Sequence, residues 1–221
     1  MTLTSAARRR SLAELHEASY YRWFGADGAL SRVIQPGDRI LDVGCSDGRG
    51  SRVLSDRGAA GVDVHRPTLT AAKDGGRRSP VAQADIRQLP FRSRSFDVVA
   101  SLDVIEHFDK ADARAVIIEL ERVAKRAVVL MTPRGFVPQP PTDDEPWQQH
   151  RCGFAAEELR ALGYRVEGQG GYAAWRGAYG AFRGGLLGQL AAVGSAPLIR
   201  RAPHLAFHLI GMKEVGHGYR P

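Results

Sequence analysis

Short apolar blocks alternate along the chain with segments whose apolar positions recur every three or four residues. That alternation predicts strand and helix in turn. Ile40-Leu41-Asp42-Val43 is apolar but for one acid and is closed by glycines, which predicts a buried strand. Residues 47–57 are predicted helical, with Gly58 as the stop. A second strand is predicted over 59–64, a helix over 67–73 with Pro67 in its first turn, a short strand over 81–84 and a stronger one over 96–102. Val116, Ile117, Leu120 and Val123 set a helical period across 109–124, and the continuous apolar run 127–131 predicts another buried strand. A helix over 154–162, capped by Gly163, and strands over 164–166 and 205–212 complete the pattern. Strand and helix alternating at this spacing predict βαβ units around a parallel sheet covered on both faces. Such sheets bind ligands beyond their C-terminal strand ends. The chemistry is therefore expected after Val43, Val64, Ala84, Leu102 and Met131.

The flanks read differently. Residues 1–38 hold a basic tail, a short helical stretch and the aromatic cluster Tyr20, Tyr21, Trp23 and Phe24, a helical and aromatic cap ahead of a main domain at 39–221. Between the last two predicted strands, Tyr172, Trp175, Tyr179, Phe182, Leu186, Leu190 and Val193 form an apolar stripe at helical spacing. Interspersed glycines weaken that helix by about 1 kcal/mol each relative to alanine. Residues 168–203 thus stand out as an insertion, either a helix packed on the core or a partner copy, or a lid over an apolar or amphipathic substrate.

Composition narrows the classes. With 221 residues, 43% apolar and 25% charged, the chain has a globular balance that excludes collagen and wholesale disorder. It has no apolar run of signal-peptide or membrane-spanning length. Its two cysteines, Cys45 and Cys152, are too few for a disulfide framework, and no cysteine–histidine spacing suits zinc. A reduced cytoplasmic protein without a metal is expected. The net charge is +7, from 31 basic and 24 acidic residues. Between Glu167 and Glu214 there is no acid, while Arg176, Arg183, Arg200, Arg201 and Lys213 lie there. The excess charge therefore belongs largely to the apolar insertion. It favours an anionic amphipathic substrate or an anionic membrane surface as partner, and argues against nucleic acid.

The richest chemistry follows the first strand. Asp42-Val43-Gly44-Cys45-Ser46-Asp47-Gly48 takes a strand into a glycine-rich turn. Asp63 ends the next strand 21 residues after Asp42, a spacing at which a carboxylate grips ribose hydroxyls, and Asp85 ends the third. The glycine spacing is not the GxGxxG of a pyrophosphate cradle, and carboxylates at that mouth repel phosphate. They suit a cationic, zwitterionic ligand, so a nucleotide-dependent oxidoreductase fits poorly. The same acids disfavour a Cys45 thiolate, which makes that cysteine a bystander.

On these residues the chain, over 39–131, resembles the class I S-adenosylmethionine-dependent methyltransferases of the small-molecule type. Asp42–Gly48, Asp63, Asp85-Ile86, Phe96–Leu102 and Glu106-His107 carry the likeness, and His150, Phe154, Glu158-Leu159 and Gly163-Tyr164 extend it. Ser46 stands where that family usually has glycine. The resemblance implies a Rossmann-like three-layer α/β sandwich with a seven-stranded mixed, mostly parallel sheet and an antiparallel last strand. It implies S-adenosylmethionine as cofactor. Gly44 and Cys45 would lie along the methionine part, Asp42 would serve its amino end, Asp63 the ribose and Val64 the adenine. Asp85 would accept from the adenine amine, Ile86 would back the ring, and Leu102 would lie near the sulfonium.

A hydroxyl acceptor benefits from a base. His107, just past the fourth strand, and His150, in the polar loop 138–152, are the candidate catalytic residues, each alternatively an ordinary structural histidine. Enzymes that methylate exocyclic base amines usually carry a [DNS]-P-P-[YFW] motif after the fourth strand. This chain has Ser101-Leu102-Asp103-Val104. The expected reaction is methyl transfer to a small, apolar or amphipathic acceptor at oxygen. The alternatives are a non-catalytic cofactor-binding or regulatory protein on the same fold, and an RNA methyltransferase acting elsewhere than on exocyclic amines.

Overall fold

The computed structural model describes residues 26–141, 146–175 and 185–216. The aromatic cluster at 20–24 lies outside the described residues, as do Arg176, Tyr179, Phe182 and Arg183 and the side chains of Trp175, Leu186 and Leu190. The chain runs α1 (Asp27–Val33), β1 (Ile40–Val43), α2 (Arg52–Asp56), β2 (Ala60–Asp63), α3 (Arg66–Asp74), β3 (Val81–Gln83) and β4 (Phe96–Leu102). It continues through α4 (Lys110–Val123), β5 (Ala124–Pro133), α5 (Ala156–Ala161), β6 (Arg165–Tyr172), α6 (Gly185–Arg201) and β7 (Ala206–Glu214). The seven strands form one sheet in the order β3-β2-β1-β4-β5-β7-β6. Strands β1 to β5 pair in parallel, and β7 runs antiparallel between β5 and β6. The chain builds outward from β1 to β3 and then returns to β4 on the other side of β1. This creates a crevice at the ends of β1 and β4, where such sheets place ligands.

The buried runs become central strands because both faces of the sheet are covered. All four residues of β1 are buried. Leu41 and Val43 point with Val99, Val128 and Leu130 into a core shared with Val116, Ile117 and Leu120 of α4. Ile40, Val98, Ala100, Val129 and Met131 point the other way, onto Leu30 of α1 and Leu54 of α2. Alternate residues of an apolar run thus feed two cores.

Three elements differ from the sequence expectation. The helix expected over 47–57 starts only at Arg52. Ser46 and Gly48 hold left-handed φ angles of 45° and 80°, which no helix admits. Ser51 then caps the helix, its Oγ accepting from the Leu54 amide at 3.2 Å and donating to Asp27 at 2.5 Å. Strand β5 begins at Ala124, directly off α4, rather than at 127. Strand β6 runs on to Tyr172, so 168–172 is sheet rather than insertion. A Cβ on Gly168 would lie 2.2 Å from the Ile199 carbonyl oxygen, so this glycine admits the close approach of α6. Helix α6 buries Ala192 and Ile199, leaves Leu187 and Leu198 exposed, and contacts β6. Among the described residues no helix is long and apolar enough to cross a membrane.

Candidate active site

Beyond the C-terminal ends of β1, β2 and β4 lies a cavity of about 320 Å³. Asp42, Gly44, Cys45, Asp63, Val64, Asp85, Ile86 and Leu102, all eight residues expected at the cofactor, line it together with His107. His150 is not in the lining; it stands behind His107, their ring centroids 4.9 Å apart.

The glycine turn is held by backbone and by one carboxylate. The Gly44 and Cys45 amides both donate to the Val62 carbonyl, at 2.8 and 3.1 Å. A Cβ on Gly44 would meet Val104 Cγ2 at 2.4 Å, so the turn packs against the segment after β4 only because it lacks a side chain there. Asp63 accepts from the Ser46 amide through Oδ2 at 2.8 Å and from the His65 amide through Oδ1 at 2.9 Å. The carboxylate that faces the cavity therefore also fixes both of its flanking loops. Ser46 holds its left-handed conformation with this bond.

The other two acids have protein partners. Asp42 is buried, and its Oδ2 accepts from Nε of Arg78 at 2.7 Å. Burial pushes its carboxyl up and the Arg78 guanidinium pulls it back. Arg78 is fully buried; its Nη1 donates to Ser55 Oγ at 2.8 Å, and its Nη2 has no hydrogen-bond partner among the described residues. Nothing in the Gly75-Gly76-Arg77-Arg78 run marked it for burial. Asp85 is clamped by Arg87 at 2.7 Å, a half-exposed pair that holds its carboxyl below the usual range. The thiol of Cys45 is pushed far up, first by burial and then by Asp42 and Asp63, so Cys45 stays neutral.

The opposite wall follows β4. Asp103 adopts a left-handed φ of 54°, and its amide donates to the Met131 carbonyl at 2.9 Å. This turns its side chain into the cavity. That side chain is 42% exposed through the cavity, yet its Oδ1 is out of solvent contact, 3.6 Å from Nε2 of His208 on β7. Burial pushes the carboxyl up to about 7. Asp103 thus faces His208 rather than His107. A single 3-10 turn, Ile105–His107, then sends Glu106 inward and His107 to the cavity. Glu106 is 1% exposed, and burial followed by the Asp103 charge pushes its carboxyl well above the usual range.

Backbone contacts bring the two candidate histidines together across 43 residues of sequence. The amides of Arg151 and Cys152 donate to the Glu106 carbonyl at 2.8 and 3.2 Å, which docks the 149–152 loop onto the turn. His107 directs Nδ1 to the Gln149 carbonyl at 3.3 Å, and His150 directs Nδ1 to the Val137 carbonyl at 2.7 Å. Because a carbonyl only accepts, both rings carry hydrogen on Nδ1 and a lone pair on Nε2. Burial lowers both imidazoles below the ordinary histidine range, His150 adding to the effect on His107. Both are therefore neutral at pH 7. Trp147, in the same loop, stacks with His65 at 4.7 Å, and both line the cavity. Sequence reasoning did not single out Trp147, Arg78 or His208. Asp103 and Glu106 were visible only as neighbours of His107.

The cavity fits a cationic nucleoside ligand. Carboxylates stand on one side, Val64, Ile86 and Leu102 supply apolar wall, and Asp63 keeps lone pairs beyond its two backbone bonds for paired hydroxyls.

Comparison with known proteins finds methyltransferases. The model of a methyltransferase domain matches residues 41–132. The ubiquinone biosynthesis O-methyltransferase of Hahella chejuensis is 35% identical over 119 residues, 50% of this chain and 48% of that protein. The human probable tRNA methyltransferase 9B is 36% identical over 80 residues, 36% of this chain and 17% of that protein. The chain thus spans about half or less of these curated relatives. A chain of the solved complex between the Haloferax volcanii Trm112 methyltransferase activator and a methyltransferase superposes with a TM-score of 0.60 at 17% identity. That match covers 93% of this chain and 95% of the other, and it shows the shared fold.

Proposed function

We propose that the chain, which matches a methyltransferase-domain model over residues 41–132 and carries the seven-stranded sheet of that fold, is a class I S-adenosylmethionine-dependent methyltransferase that transfers a methyl group to an oxygen of a small, apolar or amphipathic acceptor. The observation that carries the reading is a carboxylate-lined cavity that ends at the neutral imidazole of His107, with His150 packed behind it. S-adenosylmethionine, when bound, supplies a methyl group on a sulfonium that is already a good leaving group. The protein's part is then to bind, orient and exclude water.

Asp63 holds the ribose hydroxyls with the lone pairs that Ser46 and His65 leave free. Val64 and Ile86 flank the adenine, and Asp85 accepts from its amine. Gly44 and Cys45 give the methionine part an approach to backbone, with Asp42 serving its amino end under the restraint of Arg78. Leu102, in the cavity wall at the end of β4, would lie near the sulfonium. His107, at the cavity wall, is the base for the acceptor hydroxyl, and His150, packed behind it, is the second candidate. The Hahella relative, named as an O-methyltransferase, supports transfer to oxygen.

Helix α6, which exposes Leu187 and Leu198 within an acid-free stretch of sequence, is the surface for an amphipathic acceptor or for anionic lipid. Sedimentation with anionic vesicles at low salt tests that surface, and no binding removes it. The central test is transfer of labelled methyl from S-adenosylmethionine into a cell extract, followed by identification of the product. A product methylated at oxygen is expected. Tight cofactor binding without transfer to any acceptor would instead favour a non-catalytic role, and label in RNA would favour the nucleic-acid reading.

A further inference from the structure

Glu106, His107 and His150 each offer one ligand atom, and these atoms lie within 4.8 Å of one another. The cluster is built by the fold: the Arg151 and Cys152 amides on the Glu106 carbonyl fix the loop that carries His150. Each imidazole spends its Nδ1–H on a backbone carbonyl, Gln149 for one ring and Val137 for the other. On the tautomer that donates from Nδ1, the other ring nitrogen is left for a ligand, the arrangement metal-bound histidines show. Glu106 is 1% exposed; Thr132 Oγ1 donates to its Oε2 at 3.0 Å, while Oε1 has no hydrogen-bond partner among the described residues. A buried carboxyl with one oxygen unpartnered among the described residues, beside two neutral imidazoles, is a set of donor groups that a cation would complete.

We propose that Glu106, His107 and His150 bind a divalent transition-metal cation at the acceptor end of the cavity. Two imidazole nitrogens and one carboxylate oxygen suit zinc and its first-row neighbours, whereas calcium and magnesium prefer oxygen throughout. Bonds of about 2.1 Å put tetrahedral donors about 3.4 Å apart, so a side-chain shift of about 1 Å closes the set. Three protein donors leave a position for an outside ligand. His107 lines the cavity, so that ligand is the acceptor's hydroxyl oxygen. A hydroxyl on the cation releases its proton to water more readily. The imidazoles then activate the acceptor as metal ligands rather than as proton acceptors. This role rests on the methyl-transfer reading, whereas the site itself does not. It replaces the metal-free expectation, which considered only spacings along the sequence.

The test is titration of the metal-stripped full chain with Co²⁺, read by visible absorption, and with Zn²⁺, read by calorimetry. One equivalent should bind, with a low-coordinate cobalt spectrum. His150→Ala and the near-isosteric Glu106→Gln should each weaken binding by about tenfold or more, with S-adenosylmethionine affinity unchanged as the control for folding. Absence of stoichiometric binding, or equal binding by wild type and folded Glu106→Gln, overturns the proposal. Full methyl transfer by chelator-stripped protein overturns the metal's role while leaving the transfer reading intact. Metal bound as predicted, with no transfer to any acceptor, supports the site and instead sinks the transfer reading.

Discussion

The two ends of the cavity are built in different ways. The cofactor end comes from consecutive strand ends, and its groups are tied to backbone or to a counter-ion: Asp63 to two amides, Asp42 to Arg78, Asp85 to Arg87. The acceptor end gathers Asp103, Glu106 and His107 after β4, Trp147 and His150 from a distant loop, and His208 from the antiparallel strand. There, Oδ1 of Asp103 and Oε1 of Glu106 have no hydrogen-bond partner among the described residues. A general cofactor can be held by a rigid, satisfied frame. An end that changes a proton state keeps polar groups whose partners arrive with the ligand.

The largest effect that could break this contrast is at Arg78. Arg78→Met leaves Asp42 buried without its cation, and we expect a loss of about 3–5 kcal/mol of stability in urea unfolding. A loss within experimental error would show that the frame does not depend on this pair. Next, His107→Ala should lower kcat by about 100-fold or more with cofactor affinity unchanged in calorimetry. A parallel loss of affinity would merge the two ends. Asp63→Ala should do the reverse, weakening cofactor binding by about 30-fold, or about 2 kcal/mol, since a charged acceptor of two amide bonds is lost.

A smaller effect concerns pH. Asp103 titrates near 7 in the folded protein against 3.8 unfolded. The native state therefore binds the extra proton between these values. Its contribution to stability is complete below pH 3.8 and is lost as pH rises through about 7. Urea midpoints of metal-free protein from pH 4 to 8 should show this decline, and Asp103→Asn should make it shallower, the raised carboxyls of Glu106 and Asp42 keeping the remainder. The smallest expected change is at Ser46. Glycine there relieves the left-handed strain of about 1 kcal/mol but adds entropy to the unfolded chain. Ser46→Gly should raise stability by only about 0.5 kcal/mol in thermal unfolding, with cofactor affinity preserved.

The same contrast separates what was legible in the sequence from what was not. The eight residues expected at the cofactor were legible as one cluster because each sits within a few positions of a strand end, and strand ends follow from apolar runs such as 40–43 and 96–102. All eight line one cavity. The helix after the glycine turn was misjudged at its start because Ser46 and Gly48 adopt left-handed angles that apolar spacing does not report. The Gly168–Tyr172 stretch looked like part of a loose insertion. Its glycines serve instead the close packing of β6 against α6 and β7. Arg78 and His208 had no signal at all, since one sits in an arginine-rich turn and the other in an ordinary strand.

By itself the sequence determined the parallel α/β core and the cluster of residues at its strand ends, because apolar periodicity and short-range turn chemistry act over a few residues at a time. Only the tertiary structure decided that His150 stands beside His107 and Glu106, that Arg78 faces Asp42, and that Asp103 faces His208. Those pairs join residues 36 to 105 positions apart. Their meeting depends on sheet order and loop docking, which local pattern does not encode.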